Sequence, residues 1–110
     1  VVFTTDSSGN VPSFSTLTAN DAGDNAGGST TVTFDWVVDG DFTQVTIASN
    51  RDSATSNDRN GPGSIQKQSG SREITATVEG PGGSTTCTAQ IGNGGSVSLS
   101  DGFSCETNTN

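Results

Sequence analysis

Thr31-Val32-Thr33-Phe34-Asp35-Trp36-Val37-Val38 carries the cleanest structural signal in the chain. Val32, Phe34, Trp36 and Val38 alternate with Thr31, Thr33, Asp35 and Val37, which is the period of a strand with one dry and one wet face. Asp39-Gly40 then provides turn chemistry, and Phe42 to Ser49 places Val45 and Ile47 on one face. The short connection predicts that these two strands form an antiparallel hairpin.

Working outward, Pro12 to Ala19 reads as an earlier strand, and the turn formers of Asn20 to Ser29 read as a loop. Downstream, Ile74, Ala76 and Val78 alternate with Thr75, Thr77 and Glu79, so Arg72 to Glu79 reads as a strand. The turn Gly80-Pro81-Gly82-Gly83 leads into Ser84 to Ile91, with Cys87, Ala89 and Ile91 in phase. Gly92 to Gly95 turns into Val97 and Leu99, and Asp101-Gly102 turns into Phe103 and Cys105. Between Asn50 and Ser71 the pattern fails, because Ala54 and Ile65 are almost its only apolar residues. That region reads as a long loop, or as a weak edge strand with a loop.

Composition agrees with a β protein. Ser, Thr, Gly and Asn make up about half of the 110 residues, and only 27% are apolar. Such a chain favours strands and turns over helices. Short strands with Gly-rich turns every eight to twelve residues predict one all-β antiparallel sandwich of about seven strands. The length suits a single domain with a modest core. Residues 11–110 form that body, and residues 1–10 form an extra N-terminal strand and its tether.

The net charge is -8, with Lys67 the single lysine beside three arginines. That balance repels nucleic-acid backbones. An Asp excess with little Lys suits a salt-loving source, and equally a secreted acidic protein of ordinary habitat. No apolar run is long enough to span a membrane. No secretory leader is visible, so a secreted protein would be represented by its mature chain.

Cys87 and Cys105 read as one disulfide formed in an oxidising compartment, with two free thiols as the alternative. In a simple meander of 84–91, 96–100 and 103–106, the outer strands would lie about 9.6 Å apart at roughly 4.8 Å per neighbour. A disulfide needs Cα atoms within about 4.4 to 6.8 Å. The tail must therefore cross back over strand 84–91 or pack from the facing sheet.

The stretches PSFSTLTANDAG (12–23), TVTFDWVVDGDFTQVTIAS (31–49) and REITATVEGPGGSTTCTAQI (72–91) together resemble the immunoglobulin-like, fibronectin-III-like and PKD-like repeats of archaeal, notably haloarchaeal, surface proteins. The resemblance spans residues 11–91 and implies an immunoglobulin-like sandwich on the cell surface. It speaks to fold more than to function.

Catalytic chemistry finds little support. With no His there is no Ser-His-Asp or Cys-His arrangement. Asp35, Asp39, Asp41, Glu73 and Glu79 fall on wet faces or in turns, so the chain is read as non-enzymatic, with no catalytic residue and no cofactor. Asp21 with Asp24, or Asp39 with Asp41, could offer oxygens to Ca²⁺, but neither pair has EF-hand spacing and no metal site is assigned. Trp36 shares its phase with Phe34 and Val38 and reads as core, not as a sugar platform. Ser/Thr-rich loops could carry O-linked glycans.

The remaining feature is Val1-Val2-Phe3-Thr4-Thr5, an apolar strand-like segment set apart by Asp6-Ser7-Ser8-Gly9-Asn10. It is either a first edge strand of its own domain or an arm that pairs with another molecule. The poor strand-forming region 50–71 suggests a gap that Val1 and Phe3 could fill in a neighbouring copy. Head-to-tail donation of this kind propagates into filaments. In this respect the chain resembles donor-strand pilus and thread subunits of bacteria and archaea. The leading expectation is an extracellular, cell-surface homopolymer subunit whose interface is Val1, Val2, Phe3, Thr4 and Thr5. The alternative is a monomeric adhesion or carbohydrate-binding module of a larger secreted protein.

Overall fold

A computed structural model describes residues 11–23, 28–68 and 70–109. The N-terminal segment 1–10, with its expected interface residues Val1 to Thr5, lies outside the described residues. Within them the chain forms nine strands and no helix. They are β1 (Ser13–Asp21), β2 (Ser29–Asp39), β3 (Gln44–Ser49), β4 (Ser53–Ser56), β5 (Gly63–Gln68), β6 (Glu73–Gly80), β7 (Gly83–Gln90), β8 (Ser96–Ser98) and β9 (Ser104–Thr109). Two antiparallel sheets of order β5-β2-β1-β8 and β4-β3-β6-β7-β9 pack as a sandwich.

The alternation read from the sequence becomes the core. Val32, Phe34, Trp36 and Val38 of β2 face Val45 and Ile47 of β3, Ile74, Ala76 and Val78 of β6, and Cys87 and Ala89 of β7, all buried. Phe34 and Trp36 each bury a large apolar area at the centre of this thin core. Trp36 is 2% exposed, and its indole N–H donates to the Asp58 carbonyl at 3.1 Å. The 57–63 segment closes over this ring. A Cβ on Gly63 would come within 2.9 Å of the indole, so only glycine fits beneath it.

Three expectations need correction. First, β2 and β3 are not a hairpin. β2 pairs with β1 and β5, whereas β3 pairs with β4 and β6. The Asp39-Gly40 turn, with Gly40 at φ +93°, carries the chain from one sheet to the other. Arg59 holds this arch: its guanidinium donates to the Val38 and Gly40 carbonyls at 2.8 and 3.1 Å and lies 5.1 Å from the Phe42 ring centroid. Second, region 50–71 is not one long loop, nor a single weak edge strand with a loop: it contributes two edge strands, β4 and β5, one to each sheet. The expected gap there is filled by the chain itself. Third, Asn20 and Asp21 belong to β1, and nine strands replace about seven.

The tail crosses back as the disulfide geometry required. β8 joins β1 in the first sheet, and β9 returns to pair with β7 in the second. Cys87 and Cys105 sit directly opposite each other, with Cα atoms 4.0 Å apart and sulfurs bonded.

Candidate functional site

The four sheet edges differ in how they are closed, and that difference locates the candidate interface. At β5, side chains from the β3–β4 turn cover the outward amides. The Gln66 N–H donates to Asp52 Oδ2 at 3.0 Å, and the Gln68 N–H to Asn50 Oδ1 at 3.4 Å. Ser49 Oγ donates to the Gln66 carbonyl at 2.6 Å. Capping by short polar groups blunts an edge that could otherwise pair with another strand. β4 is a four-residue strand of Ser, Ala and Thr. β9 shields β7, has every described side chain exposed, and is fastened by the Cys87–Cys105 bond.

The fourth edge is open. β8 is three residues long and pairs only with Thr18, Ala19 and Asn20 of β1. One further bond follows, from the Leu99 N–H to the Leu17 carbonyl at 2.7 Å. The chain then turns away, with the Asp101 and Phe103 amides donating back to the Ser98 carbonyl. Among the described residues, no strand pairs with Ser13 to Thr16 on the side away from β2. A groove of about 350 Å³ lies there, lined by Ser15, Thr16, Leu17, Thr18, Ser98 and Leu99.

A β-bulge at Ser15 shapes this edge. The register with β2 slips between Phe14 and Thr16, which lets Phe14 and Leu17 both face the core although they are three residues apart. Bulges of this kind bend a strand and interrupt regular pairing. The Ser15 hydroxyl donates to the Val37 carbonyl at 3.3 Å. The start of β1 is anchored by Thr85, whose hydroxyl donates to the Pro12 carbonyl at 2.7 Å.

A second constellation, unforeseen from the sequence, closes one end of the sandwich. Asp21 and Lys67 form an ion pair, Nζ to Oδ2 at 3.1 Å, with both side chains fully buried. Asp21 Oδ2 also accepts from the Thr30 hydroxyl at 3.1 Å, and its Oδ1 accepts from the Gly23 and Gly94 amides at 2.8 and 3.3 Å. Lys67 donates to the Ser71 carbonyl at 2.5 Å and to Asn93 Oδ1 at 3.2 Å. Burial alone pushes the Asp21 carboxyl up. The Gly23 amide, Lys67, the Gly94 amide and the Thr30 hydroxyl outweigh it, leaving the carboxyl below its ordinary 3.8. Phase was the readable signal: Asp21 continues the inward series Leu17-Ala19, and Lys67 follows Ile65.

Among the other sequence-level candidates, Trp36 is buried and has no free ring face for a sugar. Asp35, Asp39, Asp41, Glu73 and Glu79 are exposed. Both Asp21 oxygens are taken by protein donors, and Asp24 lies outside the described residues. No group of three or more His, Cys, Asp or Glu gathers in metal-binding geometry among the described residues. No helix there is long and apolar enough to cross a membrane. Compared with protein-family models, with curated proteins and with solved structures, the chain gives no match.

Proposed function

We propose that the protein is a structural subunit of an extracellular filament, in which Val1 to Thr5 of one copy adds a strand to the open edge of β1 in the next. One observation carries this reading: β1 lacks a partner at Ser13 to Thr16 beside an apolar-floored groove, while the β5 edge is capped and β9 covers the β7 edge. An extended peptide docks at such an edge through main-chain hydrogen bonds, with alternate side chains entering the groove. Val1 and Phe3 share one face of an extended arm and would enter beside Leu17 and Leu99. Val2 and Thr4 would face outward, and Thr5 would end the ladder on the same side as Val1 and Phe3.

The acceptor is thus moved from region 50–71 to the β1–β8 edge. The body is read as immunoglobulin-like, its partners as copies of itself, its setting as the cell surface, and its role as non-enzymatic. Ser/Thr-rich exposed faces leave room for O-linked glycans.

The test is assembly. Intact protein is compared with a variant lacking residues 1–8 by light scattering and negative-stain microscopy. The intact chain should form linear assemblies, and the truncated body should be a folded monomer that shortens filaments when mixed in. Leu99→Arg should block assembly with the arm intact. A monodisperse monomer from the intact chain would overturn the reading.

A further inference from the structure

The buried end of the sandwich brings together the three groups needed to make an amide from side chains. Lys67 supplies the only lysine amine in the chain, and that side chain is fully buried. Its Nζ lies 3.1 Å from the Asp21 carboxylate and 3.2 Å from the Asn93 carboxamide oxygen. The Ser71 carbonyl holds the amine from a further side. We infer that Lys67 Nζ and Asn93 Cγ join in an intramolecular isopeptide bond, with Asp21 as the proton carrier.

The step balances without an oxidant or an activated donor. The lysine ammonium passes one proton to Asp21 Oδ2, which frees the nitrogen lone pair. Nζ attacks Asn93 Cγ and forms the new C–N bond. Asp21 returns its proton to the departing nitrogen as the Cγ–Nδ2 bond breaks. The second proton lost from Nζ is taken up by the ammonia so formed, which leaves as ammonium. One alkylammonium and one carboxamide become one amide and one ammonium ion, and the Asp21 carboxylate is regenerated. Holding amine and carboxamide in contact makes the reaction effectively unimolecular, which is the largest advantage a folded protein can give it. Burial of the amine and the carboxylate strengthens the electrostatic part of the step. Asn93 itself is exposed, so ammonium has a path to solvent.

A competing reaction is restrained by the same cluster. In an Asn-Gly pair the following backbone nitrogen can attack the Asn side chain and form a succinimide, which also expels ammonia. Here the Gly94 N–H is directed to Asp21 Oδ1 at 3.3 Å, which occupies that nitrogen's hydrogen. The Lys67–Asn93 bond would tie the end of β5 to the loop between β7 and β8. It would form in a monomer as well as in a filament.

Intact-mass spectrometry of the denatured protein tests the bond. The wild type should be lighter than its disulfide-bonded sequence mass by one ammonia. Its tryptic digest should hold a branched peptide joining Lys67 to Asn93, uncut after Lys67. Lys67→Arg and Asn93→Ala should return to the full sequence mass, and Asp21→Ala should show the bond lost or strongly slowed. Full sequence mass in the wild type would overturn the inference. So would a deficit that persists in Lys67→Arg, or one that mild alkali converts to the deamidated mass, since both report a succinimide.

Discussion

Lys67 and Asp21 show how a single pair of residues can decide the packing at one end of the molecule. A lysine at an inward position of β5 is tolerated because the carboxylate at the end of β1 lies 3.1 Å away and each remaining polar atom has a donor or acceptor. Such a pair contributes less to net stability than its Coulomb energy suggests, because both charges are desolvated. Breaking it is another matter. Lys67→Met leaves a buried carboxylate without the ammonium, or the amide N–H formed from it, that partners Oδ2, and should cost about 3–5 kcal/mol in chemical denaturation. The pH dependence has a definite sign. The folded carboxyl of Asp21 lies below its ordinary 3.8, so its contribution is complete above that value and is lost as the pH falls through the lower folded value. Asp21→Asn should flatten the acid limb of stability against pH. An unchanged acid limb would show that other carboxylates govern it.

At the scale of elements, strands with one apolar face were legible and strands with mixed faces were not. β2, β3, β6 and β7 announce themselves through alternation, and their inward residues are the core. β5 was obscured because its two buried positions are Ile65 and Lys67, and a charged residue there breaks the apolar period. β4 was obscured because it is short, polar and at an edge, held by backbone pairing to β3. Alternation also cannot say which sheet a strand joins, which is why the Asp39-Gly40 turn read as a hairpin instead of an arch between sheets. The disulfide gave the long-range constraint that local patterning lacked, and the placement of β9 beside β7 followed from it. β9 buries none of its described side chains, so its position depends on the ladder and on the bond to Cys87. Replacing both cysteines with serine should cost about 3 kcal/mol in the chain-entropy account of a loop this size. Hydrogen exchange should then accelerate first across Ser104–Thr109. Equal acceleration throughout the sandwich would show that β9 is not the weakly held element.

At the scale of the whole molecule, the sheet edges are what differ. A sandwich whose outer strands are all blunted stays monomeric, whereas a single open edge invites one more strand. Two devices blunt the other edges, the Asn50 and Asp52 caps on β5 and the shortness of β4, while β9, the outermost strand of its sheet, presents only exposed side chains and no apolar groove residue. The bulge at Ser15 and the brevity of β8 leave the fourth edge unprotected beside Leu17 and Leu99. Val1 to Thr5 stands out in the sequence as a candidate arm, whereas the proposed acceptor does not, because an unpaired edge is a property of the assembled sheets. The most direct measurement adds a synthetic peptide of residues 1–8 to the body lacking them and follows backbone amide protection by hydrogen exchange. Added protection concentrated at Ser13 to Leu17, lost with Leu99→Arg, is the predicted result. No added protection, or protection centred on another edge, would contradict strand donation to β1.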